Sequence, residues 1–149
     1  MRVVHESADG GREVLATDVE TADTTLAQLV GLRFRHELPE DYALVFEFDR
    51  LRRGITDMLF VYVPLDVVWL RAGAVIRVET LLPWRGLAYT NADGFVEFPA
   101  GTASDVTPGD RLSVEADSET EAAHPTSVEE GGTFDGGPDP VSSVEDGEN

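Results

Sequence analysis

The chain has 149 residues, 42% of them hydrophobic, which suits one hydrophobic core and one domain. It has no cysteine, which excludes disulfides, thiolate catalysis and thiolate metal sites. Its formal net charge of -18 opposes binding to the phosphate backbone of nucleic acid.

There is no lysine: all 11 basic residues are arginines lying before residue 112, whereas residues 113–149 hold 11 acidic residues and no basic one. Arginine as the sole base amid excess acid suits a protein kept soluble in concentrated salt, where the Debye length falls to about 3 Å. A halophilic setting is therefore expected. Met1-Arg2-Val3-Val4-His5 is followed by Glu6, Ser7 and Asp9 rather than by an apolar run, so no secretion signal is read and a cytoplasmic location is expected.

In chain order, residues 2–5 and 13–19 alternate around the turn cluster Ala8-Asp9-Gly10-Gly11 and predict an opening β-hairpin. Thr21 and Asp23 offer caps to a short helix carrying Leu26, Leu29 and Val30 on one face, and Gly31 ends it. Residues 42–48 predict a strand with Leu44, Phe46 and Phe48 on one side, and residues 49–57 read as a charged loop.

Residues 58–70 form the densest apolar stretch and the floor of the core, read as two strands meeting at a bend at Pro64. This run is shorter than the roughly 20 apolar residues of a membrane span and contains Asp66. Its second half pairs across Arg71-Ala72-Gly73-Ala74 with residues 75–81 as a hairpin. Residues 83–93 read as irregular chain packed over the body; 95–98 and 111–114 are further strands. From residue 115 onward glycine, proline, serine and acids prevail, a composition that predicts a disordered acidic tail, 115–149, attached to a domain spanning 1–114.

Several stretches together resemble the DUF192 family, also called UPF0127. They are Gly31-Leu32-Arg33-Phe34-Arg35 with Leu38-Pro39, Leu44-Val45-Phe46-Glu47-Phe48, Met58 with Pro64-Leu65-Asp66-Val67-Val68, Val96-Glu97-Phe98-Pro99-Ala100-Gly101, and Gly109-Asp110. With its lysine-free acidity the chain looks like a haloarchaeal member of that family. The resemblance implies a mainly β (α+β) fold, a compact antiparallel barrel-like β-sandwich with one short N-terminal helix, and it implies no activity. Where family members commonly carry Trp-Met-x-Asn-Thr, this chain has Asp57-Met58-Leu59-Phe60-Val61, and the family's frequent cysteine pair is replaced by a segment holding Trp84.

Asp66 and Glu97 are carboxylates in apolar surroundings, costly to bury without partners, and so are candidate ligand-binding or acid–base groups. Alternatively Asp66 accepts backbone donors near Pro64 or pairs with Arg33 or Arg35, and Glu97 is an ordinary outward strand residue. Arg33, Arg35, Arg50, Arg52 and Arg53 could bind an anion, or pair with Glu47, Asp49 and Asp57. Trp84 and Tyr89 could stack on a planar ligand or cap the core.

His5, His36 and His124 have no metal-ligand spacing, and no enzyme or cofactor motif is found. The expected function is a non-enzymatic module binding a small molecule or protein through Arg33, Arg35, Asp66, Trp84 and Glu97, with no cofactor, metal, nucleic acid or membrane. The alternative is an enzyme of unrecognised class using Asp66 or Glu97 near an arginine.

Overall fold

The computed structural model describes residues 1–117. They form β1 (Arg2–Glu6), β2 (Arg12–Ala16), β3 (Asp18–Thr21), α1 (Thr25–Val30), β4 (Tyr42–Asp57), β5 (Leu65–Arg71), β6 (Ala74–Leu81), β7 (Leu87–Pro99) and β8 (Arg111–Glu115). The segment read as a disordered acidic tail, apart from its first residues, lies outside the described residues. No helix among those described is long and apolar enough to cross a membrane.

The eight strands make one open sheet, in the order β2-β1-β8-β6-β5-β7-β4-β3, where two stacked sheets of a sandwich were expected. Its edge strands β2 and β3 are joined by a single residue, Thr17, so the sheet must curl to bring its ends together. The N–H of Thr17 donates to the Asp41 carbonyl at 2.9 Å and its hydroxyl to the Asp41 carboxylate at 2.6 Å. The run 13–19, read as one strand, is thus split in two: β2 pairs antiparallel with β1, and β3 lies parallel to β4.

Two predicted loops are strands. Residues 50–57 extend β4, which pairs with β7 from Arg52 against Ala92 to Asp57 against Leu87; residues 87–93 are the first half of β7. Their polarity misled because this ribbon buries one face only, at the small residues Gly54, Thr56, Ala88 and Ala92, and exposes the other. Between Glu47 and Arg52 the register slips, so β4 bulges opposite Asp93. Gly94 marks that place because a Cβ there would come within 2.7 Å of the Phe46 carbonyl oxygen.

The first half of the apolar floor, 58–64, is no strand. Local bonding wins over β propensity: the Val61 N–H donates to the Met58 carbonyl at 3.1 Å, and Phe60 is left-handed with φ 61°. The hairpin β5–β6 forms as expected, closed by Ala72 and Gly73 at positive φ in the primed-turn manner. Thr24, rather than Thr21 or Asp23, caps α1, its hydroxyl accepting from the Ala27 N–H at 3.0 Å, and the helix ends at Gly31.

Both faces of the central strands are buried. Leu44, Phe46, Leu65, Val67, Trp69 and Phe95 enter one apolar cluster, while Ala43, Val45, Val68, Val96 and Phe98 enter the other. This is why β5 reads as a continuous apolar run instead of an alternating one. Each such large side chain contributes about 1.5–3 kcal/mol by burial.

Candidate functional site

Glu97 lies mid-sheet on β7, opposite Leu44 of β4 and Val67 of β5, on the Phe95 side of the strand. It is 5% exposed. Burial pushes its carboxyl up to about 8; the neighbouring Thr56 hydroxyl and Arg33 guanidinium work the other way, and the Asp57 carboxylate adds to the rise. Glu97 is therefore largely protonated at neutral pH, able to donate as well as accept. Thr56 Oγ1 is buried beside it without a hydrogen bond of regular geometry.

These groups open on a pocket of about 50 Å³ between β4, β7 and the chain that follows α1, lined also by Gln28, Arg33, Asp57 and Val61. A water needs roughly 10–15 Å³ of such space, so the pocket suits a few waters or one small polar group. Arg33 Nη2 donates to Asp57 Oδ2 at 2.5 Å at its edge.

From there a groove runs outward along β4, with Gln28 shared by each section. The next section, about 320 Å³, is lined by Phe46, Phe48, Gly54, Ile55, Phe95 and the arginines 52 and 53. Phe46 and Phe95 stack at 4.3 Å, and Trp69 packs on Phe95 at 4.6 Å. Gly54 is required by this floor: a Cβ would lie 2.7 Å from the Trp69 ring and 3.3 Å from Phe48. The outermost section, about 260 Å³, adds Asp23, Glu47 and Asp49.

The Arg52 guanidinium lies 3.7 Å over the Phe48 ring and donates to Gln28 Oε1 at 3.2 Å; that of Arg53 lies 5.1 Å over Tyr89. Among the described residues, none of Arg50, Arg52 and Arg53 forms an ion pair, whereas Arg2, Arg12, Arg33, Arg35 and Arg77 do. The expected pairing with Glu47 and Asp49 is absent, and Asp57 is engaged by Arg33 instead.

Beside the pocket three loops are laced by backbone bonds: Phe34 N–H to the Phe60 carbonyl at 2.8 Å, Trp84 N–H to the Met58 carbonyl at 3.0 Å, and Met58 N–H to the Gly86 carbonyl at 2.9 Å. They hold an exposed aromatic ledge in which Phe34 stacks on Phe60, Trp84 meets Phe60 and Tyr62 edge-on, and Tyr62 stacks on His36. Phe34, Phe60 and Trp84 all have positive φ, at 67°, 61° and 66°. Such conformations are unfavourable for bulky residues and cluster at functional sites.

Of the residues singled out from sequence, Arg33 and Glu97 meet at the pocket, and Trp84 stands on the ledge. Arg35 lies elsewhere, bonded to Glu20 at 2.8 Å beside the Tyr42 ring. Asp66 alternates away from Leu65 and Val67 on β5, which face the Glu97 side. It accepts from Thr80 Oγ1 at 2.6 Å and from the N–H groups of Gly101 and Ala103 at 2.8 and 3.0 Å. It clasps β5, β6 and the turn after β7 together and forms no ion pair with an arginine among the described residues.

Asp110 does the same elsewhere, joining Thr107, His5 and Ala8; these bonds, the Thr107 N–H foremost, hold its carboxyl down to about 2. Gln28, Phe48, Gly54 and Thr56 went unread as site residues, and only the unusual Gly54 inside an arginine-rich run offered a signal.

The fold defines a small, mainly β domain built on one curled sheet. The chain belongs to the DUF192 family, whose model, described as Uncharacterized ACR, matches residues 5–114. A solved structure from Sinorhizobium meliloti 1021, described as a candidate transcription regulator, is 28% identical at a TM-score of 0.68, covering 75% of this chain and 91% of that one. A protein of unknown function from Novosphingobium aromaticivorans DSM 12444 is 22% identical at a TM-score of 0.68, covering 76% of this chain and 84% of that one, and shares the fold. No curated protein matches.

Proposed function

We propose that this DUF192 domain is a non-enzymatic binding module that takes a small ligand in the groove along β4, its inner end in the Glu97 pocket. The observation that carries this reading is the buried pair at the head of the groove, the Thr56 hydroxyl beside the protonated carboxyl of Glu97, both facing the pocket. A ligand carbonyl or amide in the pocket can bond to both groups, since a protonated carboxyl and a hydroxyl each donate and accept. The groove's middle section, about 320 Å³, reaches the lower end of the roughly 300–1,000 Å³ of small-molecule sites. A halophilic cytoplasm, supported by the lysine-free acidic composition, and a sheet curled toward a barrel-like sandwich, supported by the Thr17 link, complete the proposal.

The test is a thermal-shift screen of the full chain against the Thr56→Leu variant, which fills the pocket. Compounds that raise the wild-type melting temperature are expected to lose that effect in the variant. Equal shifts in both would reject the pocket.

A second reading, an enzyme using Glu97 as acid or base, is favoured by that carboxyl titrating close to neutral pH. Asp66 does not share the role, because its two oxygens already accept three hydrogen bonds. Glu97→Gln would abolish turnover and keep binding in such an enzyme; with no turnover in either form, this second reading falls.

A further inference from the structure

The two ends of the groove differ chemically. The inner end offers a neutral carboxyl and a hydroxyl, whereas the middle section presents Arg52 and Arg53 above an aromatic floor. Among the described residues five of the eleven arginines form ion pairs in this chain of charge -18. Arg52 does not, although Asp23, Glu47 and Asp49 line the groove's outer section with it. The Phe48 ring and the Gln28 side-chain oxygen hold its guanidinium away from them. A guanidinium fixed on a ring has already lost its rotamer freedom, and its remaining N–H groups are preorganised for an oxyanion.

We infer that the groove's ligand is an anionic small molecule with an apolar body, its oxyanion on Arg52 and Arg53 and its body against Phe48, Gly54 and Ile55. The inference rests on the groove being the binding site. The ligand class is an organic carboxylate, sulfonate or phosphate ester, distinguished from neutral apolar molecules by its charge. The neighbouring acids at the outer section reject a second negative group, so one anionic end facing the arginines and a neutral polar end facing Glu97 define the fit.

Two fluorescent probes of the same body test this on the full chain at one fixed salt concentration: 8-anilinonaphthalene-1-sulfonate and its neutral counterpart N-phenyl-1-naphthylamine. The sulfonate is expected to bind at least about tenfold more tightly, the worth of one charge-assisted contact. Arg52→Gln with Arg53→Gln, both exposed and without an ion pair among the described residues, is expected to remove that advantage while leaving the neutral probe's affinity within about twofold. Phe48→Ser is expected to weaken both probes.

If the two probes bind alike and the arginine variants change nothing while Phe48→Ser still weakens both, the anionic ligand is overturned and the groove stands. If Phe48→Ser leaves both unchanged, or if Trp84→Ala alone removes binding, the groove itself is overturned, and the inference with it.

Discussion

Arg33 and Asp57 meet 2.5 Å apart at the rim of the pocket whose base holds Glu97, so one guanidinium serves a half-buried carboxylate and also biases a fully buried one. The attraction is insufficient to ionise Glu97 at neutral pH, because the desolvation of a carboxylate enclosed by Phe46, Leu65 and Phe95 is larger.

A pH dependence of stability follows. Glu97 has its carboxyl raised from an ordinary 4.5 to about 8 in the folded chain, so the folded state binds this proton more tightly than the unfolded one. Its contribution is fully present below pH 4.5 and is lost as pH rises to 8. The full linkage amounts to about 5 kcal/mol. Urea unfolding of wild type and Glu97→Gln between pH 4.5 and 9 is expected to show a fall in the former and a much flatter profile in the latter. Parallel profiles would show that Glu97 is not buried in this way.

Asp66→Ala should leave the amides of Gly101 and Ala103 without their acceptor and cut the link to Thr80. The expected loss is about 3 kcal/mol in denaturant unfolding, against about 1 kcal/mol for Thr80→Val. A loss below 1 kcal/mol for Asp66→Ala would remove it from the list of structural clasps.

Gly54→Ala forces a methyl to 2.7 Å from the Trp69 ring, which is fully buried and has no room to retreat. A cost of about 1–3 kcal/mol is expected, with a changed near-ultraviolet circular dichroism signal from the displaced aromatic floor. Wild-type stability and spectrum in the variant would contradict the packing described for the groove.

The ledge gives a test of strain. Phe34 is 61% exposed and left-handed, so glycine and alanine there differ chiefly in backbone conformation. Phe34→Gly is expected to be more stable than Phe34→Ala by about 1 kcal/mol, the reverse of their usual order. The usual order would mean that the loop relaxes and holds no strain.

The legible parts of the fold were those where local pattern and tertiary environment agree. The turn residues at Gly10 and Gly73 announced β1–β2 and β5–β6, and the apolar block of β5 announced a strand buried on both sides. What escaped was set by distant pairing. Residues 52–57 resemble a loop because their partner strand, from Leu87 to Ala92, mixes apolar and polar residues without clean alternation, and each looks irregular without the other.

Met58 to Val61 look like a strand, yet their amides and carbonyls close turns and bind Trp84 and Gly86, a choice no periodicity reveals. At the site, Glu97 and Arg33 could be picked out by residue type. Asp66, equally conspicuous, proved to be a clasp, since an acid in an apolar run announces burial but not which face of the strand it takes. Thr56 and Gln28 are unremarkable residues that gain meaning only through the pocket they line.

The most direct measurement is amide chemical-shift mapping of the full chain with 8-anilinonaphthalene-1-sulfonate. The account predicts the largest shifts at Gln28, Phe48, Gly54, Thr56 and Glu97, the residues that line the groove. Shifts confined to Phe34, Phe60, Tyr62 and Trp84 would place binding on the aromatic ledge and contradict the groove as the functional site.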